Sequence, residues 1–227
     1  MIGQNRSSAV MQQRAEPHDS LDDFPTPPWA TRALCEWIQC EAINDWDGDT
    51  LAQMACREPA ANRGYMARVL GEYFGAVDAA DTHDYGVGYP VRDYLFGPLP
   101  QAAHWTITNP PFRLAERFIQ RALASSRRGV AVIVRSAFLE GVGRYRDLFS
   151  ALPPSDILQF TERVVMHKGR LSAKGSTATA YCWIVWRKDV LGEGTRFHWI
   201  EPCRKRLERE GDYPPEDRAN TVEGALL

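Results

Sequence analysis

A chain of 227 residues is long enough to bury one full hydrophobic core. Its 44% apolar and 25% charged residues are globular proportions, and a net charge of −2 gives the whole molecule no pull on a polyanion, so any nucleic-acid contact must come from local clustering. The five cysteines are odd in number and show no C-x-x-C spacing, which argues against a disulfide framework or a zinc site and fits a reducing compartment.

Residues 1–20 are rich in Ser, Gln and charge and lack periodicity, so they are expected to form a flexible tail. They carry no apolar stretch of the secretory kind. The longest apolar runs, Gly129–Val134 and Ala180–Trp186, fall far short of the roughly 20 residues of a membrane helix. A cytoplasmic protein without membrane contact is expected.

Structure is predicted to begin at Asp22-Asp23-Phe24-Pro25-Thr26-Pro27-Pro28-Trp29. Thr26 suits a helix N-cap with Pro27 at the first helical position. Trp29, Ala33, Trp37 and Ile38 recur at helical spacing, so the helix should run to about Ile43. A turn at Asp45–Asp49 leads to a short strand, Thr50–Cys56. Glu58-Pro59-Ala60-Ala61-Asn62-Arg63-Gly64 follows, then a helix from Tyr65 to Phe74.

A strand, a small-residue turn and a helix make the first half of a doubly wound α/β unit, whose ligands bind outside the carboxyl ends of the strands. Ala60, Ala61 and Gly64 let a ligand approach the backbone, and the helix N-terminus favours a carboxylate. Gly75–Ala80 reads as the second strand, ending at Asp81. An acid there is the ribose-binding solution of dinucleotide folds; Asp81 is assigned that role, with Asp78 as the alternative. Asp93-Tyr94 is either a ligand contact or part of a solvated loop.

Trp105-Thr106-Ile107-Thr108-Asn109-Pro110-Pro111-Phe112 reads as a buried strand that must stop at Asn109, because neither proline has an N–H to donate. Asn109 then stands at the strand end beside free carbonyls and the flat Phe112. Those are the parts needed to hold a planar ring bearing an exocyclic amine. The plain alternative is a strand-ending turn.

Leu114, Phe118, Ile119 and Leu123 mark the next helix. Gly129–Val134 has the pattern of a strand buried on both faces, ended by Arg135-Ser136. Phe138–Phe149 looks helical, and Ile157–Val165 and Thr179–Trp186 form a final antiparallel hairpin. The Met166–Thr177 connection is basic. No acid occurs from Arg163 to Lys188 or from Arg117 to Leu139, so phosphate contact is one reading and a solvated face the other. Glu201 onward is polar and reads as a strand tail, a short helix and a loose C-terminus, with residues 207–227 taken as the loose tail.

Asn109–Phe112, with Thr26-Pro27 and Glu58–Gly64 before it and the basic loop after it, resembles the motif set of phage-type DNA N6-adenine methyltransferases, which are class I S-adenosylmethionine-dependent enzymes. The resemblance spans Phe24 to Arg206, so residues 21–206 are taken as the methyltransferase domain. It implies a doubly wound, mostly parallel, seven-stranded α/β sheet with a C-terminal antiparallel hairpin. It also implies S-adenosylmethionine as cofactor, DNA as substrate, no metal, and methyl transfer to the N6 amine of a flipped adenine.

On the matching positions, the resemblance implies that Asn109, Pro110, Pro111 and Phe112 are catalytic. Thr26, Pro27, Glu58, Pro59, Ala60, Asn62, Gly64 and Asp81 would hold the cofactor, and Asp93 and Tyr94 its adenine. Arg135, His167, Lys168, Arg170 and Lys174 would meet DNA. Asn62 stands where the pattern has its first glycine, a departure that bears on cofactor affinity. Asn tolerates the left-handed conformation best after Gly, so the turn is expected to survive. Related motifs serve other planar amines, so an RNA base, cytosine N4 or a protein glutamine is the alternative substrate. A non-catalytic binding module on the same fold is the alternative of another class.

Overall fold

The run Gly129–Val134 has no side chain that needs water, and it becomes the middle of the molecule. In the computed structural model, which describes residues 22–42 and 48–214, it lies within β4 (Ser126–Arg135). Ala131 and Ile133 enter one core cluster while Val130, Val132 and Val134 enter another, the period-two alternation of a strand covered on both faces. The first cluster is closed by α1 (Pro28–Trp37) and α2 (Tyr65–Tyr73), the second by α3 (Ala115–Ser125).

Among the described residues, seven strands form one sheet. The others are β1 (Ala55–Glu58), β2 (Ala76–Ala79), β3 (Ala103–Thr108), β5 (Asp156–Phe160), β6 (Tyr181–Arg187) and β7 (Arg196–Ile200), and the order is β2-β1-β3-β4-β6-β5-β7. β2, β1, β3 and β4 run parallel; β6 is antiparallel to both β4 and β5; β7 is parallel to β5. The expected hairpin is therefore β5 and β6, with β6 inserted between β4 and β5. The carboxyl ends of β1, β2 and β3 lie side by side, which places the loops that follow them around one opening.

Aromatic residues fill the sheet faces. Trp29, Trp105, Trp183 and Trp186 are all but completely buried. Side chains of this class remove roughly 150–250 Å² each from water, about 4–6 kcal/mol apiece as an upper bound before entropy. The Trp183 indole N–H also donates to the Ala30 carbonyl at 3.0 Å, fastening α1 to β6. Gly129 is required by Trp105: a Cβ there would sit 2.5 Å from the indole ring.

Several boundaries differ from the sequence reading. The first strand begins at Ala55 rather than Thr50, because Thr50 and Gln53 cap a short 3-10 turn, Leu51–Gln53, reciprocally. Pro27, not Thr26, is the N-cap of α1, and Pro28 takes the first helical position. The helix widens into a π turn at Ile38–Ala42, and its expected end near Ile43 lies outside the described residues. The segment read as helical from Phe138 is a 3-10 turn, Ser136–Leu139, followed by α4 (Val142–Arg144) and a π turn, Tyr145–Phe149. Strand β7 is absent from the sequence reading; Arg196, Phe197 and Trp199 are exposed, so it shows no buried face to read.

The segment from residue 207, expected to be loose, is packed as far as it is described. Leu207, at the end of α5 (Arg204–Leu207), joins the core. The buried Arg32 guanidinium donates to the Leu207 carbonyl at 2.7 Å and to the Asp212 carboxylate at 2.7 and 2.8 Å, and it also pairs with Glu72. A buried cation needs such partners, so α1 commits this segment to the body. The proposed tail at 1–20 and the stretch 215–227 lie outside the described residues.

Candidate active site

The loops after β1, β2 and β3 border a cleft of about 1270 Å³. Strand β3 ends at Thr108 because Pro110 and Pro111 cannot continue the ladder. Leu114 N then donates to the Pro111 carbonyl at 2.9 Å, turning the chain into α3. The loops after β1 and β2 are stitched together by Ala80 N to the Glu58 carbonyl and Ala61 N to the Ala80 carbonyl, at 3.0 and 2.9 Å.

At the strand end, Asn109 Nδ2 donates to the Phe24 carbonyl at 2.9 Å and to Thr26 Oγ1 at 3.1 Å, with Met166 Sδ 3.8 Å away. A backbone carbonyl can only accept, so the amide nitrogen must face it and Oδ1 must point the other way. Phe112 N donates to the Asp22 carboxylate. Its ring centroid lies 5.4 Å from that of Phe24, and the Arg135 guanidinium sits 4.4 Å over the Phe112 ring. The Arg135 guanidinium, expected to meet phosphate, thus lies over an aromatic ring at the cleft wall.

Glu58 ends β1 with its side chain almost fully buried. Oε1 accepts from Thr108 Oγ1 at 2.6 Å and from Ala60 N at 3.0 Å; Oε2 is buried with no partner among the described residues. Burial pushes its pKa up to about 8, against the two hydrogen bonds and with a smaller push from the Asp81 charge. Asp81 Oδ2 accepts from Asn62 N at 2.9 Å and Oδ1 from His83 N at 3.0 Å. Asp78 is ion-paired with Arg57 and Arg92 away from the cleft, so Asp81 is the acid at the cleft wall.

Asn62 has φ +51°, the left-handed conformation expected of it. Its side chain does more than fit the turn: Oδ1 accepts from Arg63 N at 2.6 Å and Nδ2 donates to Asp23 Oδ1 at 2.7 Å. Gly64 has φ +77°, where an L side chain is strained, and a Cβ there would lie 2.4 Å from the Tyr89 ring, which would have to move.

The cleft brings together Thr26, Glu58, Pro59, Ala60, Asn62, Asp81, Asn109, Pro111, Phe112, Arg135, His167 and Lys168. Pro27, Gly64, Pro110, Arg170 and Lys174 do not line it. Nor do Asp93 and Tyr94, which border a separate cavity of about 180 Å³ that shares Pro59. Asp93 accepts from Leu95 N at 2.8 Å, a local turn, and the buried Tyr94 ring packs on Phe118 at 5.1 Å. Phe118 does line the cleft, so Tyr94 reaches it only through that ring. Arg170 lies on the exposed basic loop, bridged to His167, and Lys174 is held in a turn with Ser172.

Sequence reasoning missed the segment from Asp22 to Phe24. The buried Asp23 carboxylate accepts from Arg63 at 2.8 and 2.9 Å as well as from Asn62, and the Asp23 carbonyl accepts from Gly169 N at 2.8 Å. With Asp22 on Phe112 N and Phe24 on Asn109, this stretch touches the loop after β1, the Asn109 turn and the basic loop at once. Two acids before an alternating proline run, which holds the chain extended, are the only local sign of it.

No family model and no curated protein matches the chain. Solved structures do. A protein described as a class I S-adenosylmethionine-dependent methyltransferase from Listeria monocytogenes superposes with a TM-score of 0.61 at 10% identity, covering 90% of this chain and 71% of that one. A type I restriction enzyme modification subunit from Vibrio vulnificus matches with 0.54 at 15% identity over 90% of this chain, which spans 54% of its length. A protein described as an RNA methyltransferase from Pyrococcus horikoshii matches with 0.54 at 16% identity, covering 79% of this chain and 95% of that one. The chain has the Rossmann-like fold of class I methyltransferases: a seven-stranded, mostly parallel sheet with one strand reversed.

Proposed function

We propose that this chain is an S-adenosylmethionine-dependent methyltransferase that modifies the N6 amine of adenine in DNA. The observation that carries the reading is Asn109, whose amide oxygen is left to face the cleft beside Phe112 at the end of β3. The cofactor is supported by the fit of the cleft. It has an orphaned, buried carboxylate oxygen at Glu58 for an ammonium group, Asp81 for ribose hydroxyls, and small residues at Ala60 and Ala61 where a ligand must approach the backbone. When bound, S-adenosylmethionine supplies an electrophilic methyl group.

The amine of adenine is a poor nucleophile because its lone pair is delocalised into the ring. Asn109 Oδ1 accepts from one of its hydrogens and favours a pyramidal nitrogen with a localised pair; the Pro110 carbonyl, expected to take the other, belongs to a residue that does not line the cleft. Phe112 stacks on the flipped base. The chain thus acts by positioning and by acceptors aimed at charge that develops in the transition state. DNA is favoured by the basic loop of Lys168, Arg170 and Lys174 and by the modification subunit among the similar structures.

The test is incubation with methyl-tritiated cofactor and, separately, DNA, RNA and protein, followed by mass spectrometry of nucleosides. Label in N6-methyladenine from DNA is the expected result. Label confined to RNA, to cytosine or to glutamine would replace the substrate. No label anywhere, with cofactor bound, would leave a binding module.

A further inference from the structure

We propose that Thr26, together with the Phe24 carbonyl, is a positioning group that makes Asn109 selective for an amine; this rests on the methyltransferase reading of the same cleft. The amide nitrogen of Asn109 has two hydrogens. One goes to the Phe24 carbonyl at 2.9 Å and the other to Thr26 Oγ1 at 3.1 Å. Both are then spent, and the nitrogen has nothing left to donate to a substrate. Turning the amide over would set Oδ1 against the Phe24 oxygen, two acceptors in contact, so the orientation is fixed. No donor among the described residues bonds to Oδ1, and Asn109 lines the cleft.

The selection follows from that geometry. A ring that presents an exocyclic amine offers hydrogens to Oδ1. A ring that presents a carbonyl at the same point meets acceptor with acceptor and is rejected. The substrate class is therefore aminated rings, adenine or cytosine, against guanine O6, thymine or uracil. The same contacts explain an amide rather than a carboxylate at this position: an aspartate would face the Phe24 carbonyl with an oxygen. Phe24 itself is held in place, because its neighbour Asp23 is tied to Asn62 and Arg63. Thr26 accordingly acts through Asn109 and not as a cap of α1, whose N-cap is Pro27.

The experiment compares Thr26→Val, which keeps the shape and removes the hydroxyl, with Thr26→Ser, which keeps the hydroxyl. Thr26→Val is expected to lower kcat by about 10- to 100-fold, the scale of a misplaced reacting group. Cofactor affinity by calorimetry should stay unchanged, and Thr26→Ser should recover most of the rate. Loss of cofactor affinity with unchanged kcat would overturn the proposal and make Thr26 a cofactor contact. Equal loss in Val and Ser would overturn it too. Hydrogen exchange of the Asn109 side-chain amide, followed by NMR on the unaltered chain with 15N-labelled asparagine, gives a readout free of substrate. Two protected amide hydrogens are expected, and rapid exchange of both refutes the positioning. A chain that methylates nothing yet protects both hydrogens would sink the functional reading alone.

Discussion

Asn62 donates its side-chain amide to the Asp23 carboxylate at 2.7 Å, so the loop after β1 is tied to the segment that crosses the cleft. Its glycine-like φ of +51° alone would let Asn62→Gly keep cofactor affinity equal or better. The bond to Asp23 reverses that expectation. Asn62→Gly should destabilise the fold by about 1–3 kcal/mol, the loss of a hydrogen bond to a charged partner, and should weaken cofactor binding through the loosened loop. Thermal denaturation and calorimetry check this. An unaltered melting temperature would mean the Arg63 pair holds Asp23 by itself.

Glu58 predicts a pH dependence with a definite sign. Its ordinary pKa of 4.5 is pushed up to about 8 by burial, so the folded chain holds a proton there that the unfolded chain has released. The stabilising contribution is complete below the unfolded value and is lost as pH rises through the folded one. Ligand-free protein should therefore lose melting temperature between about pH 5 and pH 8.5, and Glu58→Gln should flatten that slope. Cofactor affinity should move the other way, because an ammonium group prefers the ionised carboxylate. Calorimetry in buffers of different ionisation enthalpy should show proton release on binding near neutral pH. An affinity that is flat with pH would remove Glu58 from the ammonium site.

Charge on the basic loop and charge at Arg135 should separate. Neutralising Lys168, Arg170 and Lys174 together should weaken DNA binding and lower the salt slope by about one unit for each phosphate they neutralise. Arg135→Ala should leave that slope alone, because its guanidinium lies over Phe112. It should instead weaken capture of an unpaired base, read by 2-aminopurine fluorescence at the target position. A salt slope that falls with Arg135→Ala would return it to the phosphate backbone.

What could be read without coordinates was set by local chemistry. Pro110 and Pro111 dictate where β3 stops, the unbroken apolar run dictates β4, and Glu58–Gly64 dictates a tight turn between strand and helix. Pairing order was not legible: nothing in the periodicity of Tyr181–Arg187 says that it inserts between β4 and β5. Asp93 could not be separated from a ligand contact, because an acid that accepts from its own loop at Leu95 looks the same in sequence. Asp22 and Asp23 act on partners 90 and 39 positions away, a distance at which sequence patterns carry no signal.

The catalytic prediction is Asn109→Ala. It deletes the acceptor at the strand end and little else, since Pro110 and Pro111 still fix the turn and Leu114 N still bonds Pro111. It also frees the Phe24 carbonyl and Thr26 Oγ1, both at the cleft edge where water can replace the amide. The substrate amine then keeps its delocalised pair. Turnover should fall by roughly 10²–10³, the scale of one lost transition-state hydrogen bond. Cofactor affinity should hold, because Glu58 and Asp81 are untouched. Phe112→Ala should differ in kind, costing about 1–3 kcal/mol of base stacking and releasing the Arg135 guanidinium from its ring. The deciding measurement is methyl transfer to adenine-containing DNA with cofactor binding followed in parallel. If Asn109→Ala binds cofactor and transfers methyl at the parent rate, Asn109–Phe112 is a strand-ending turn and the acceptor assignment falls.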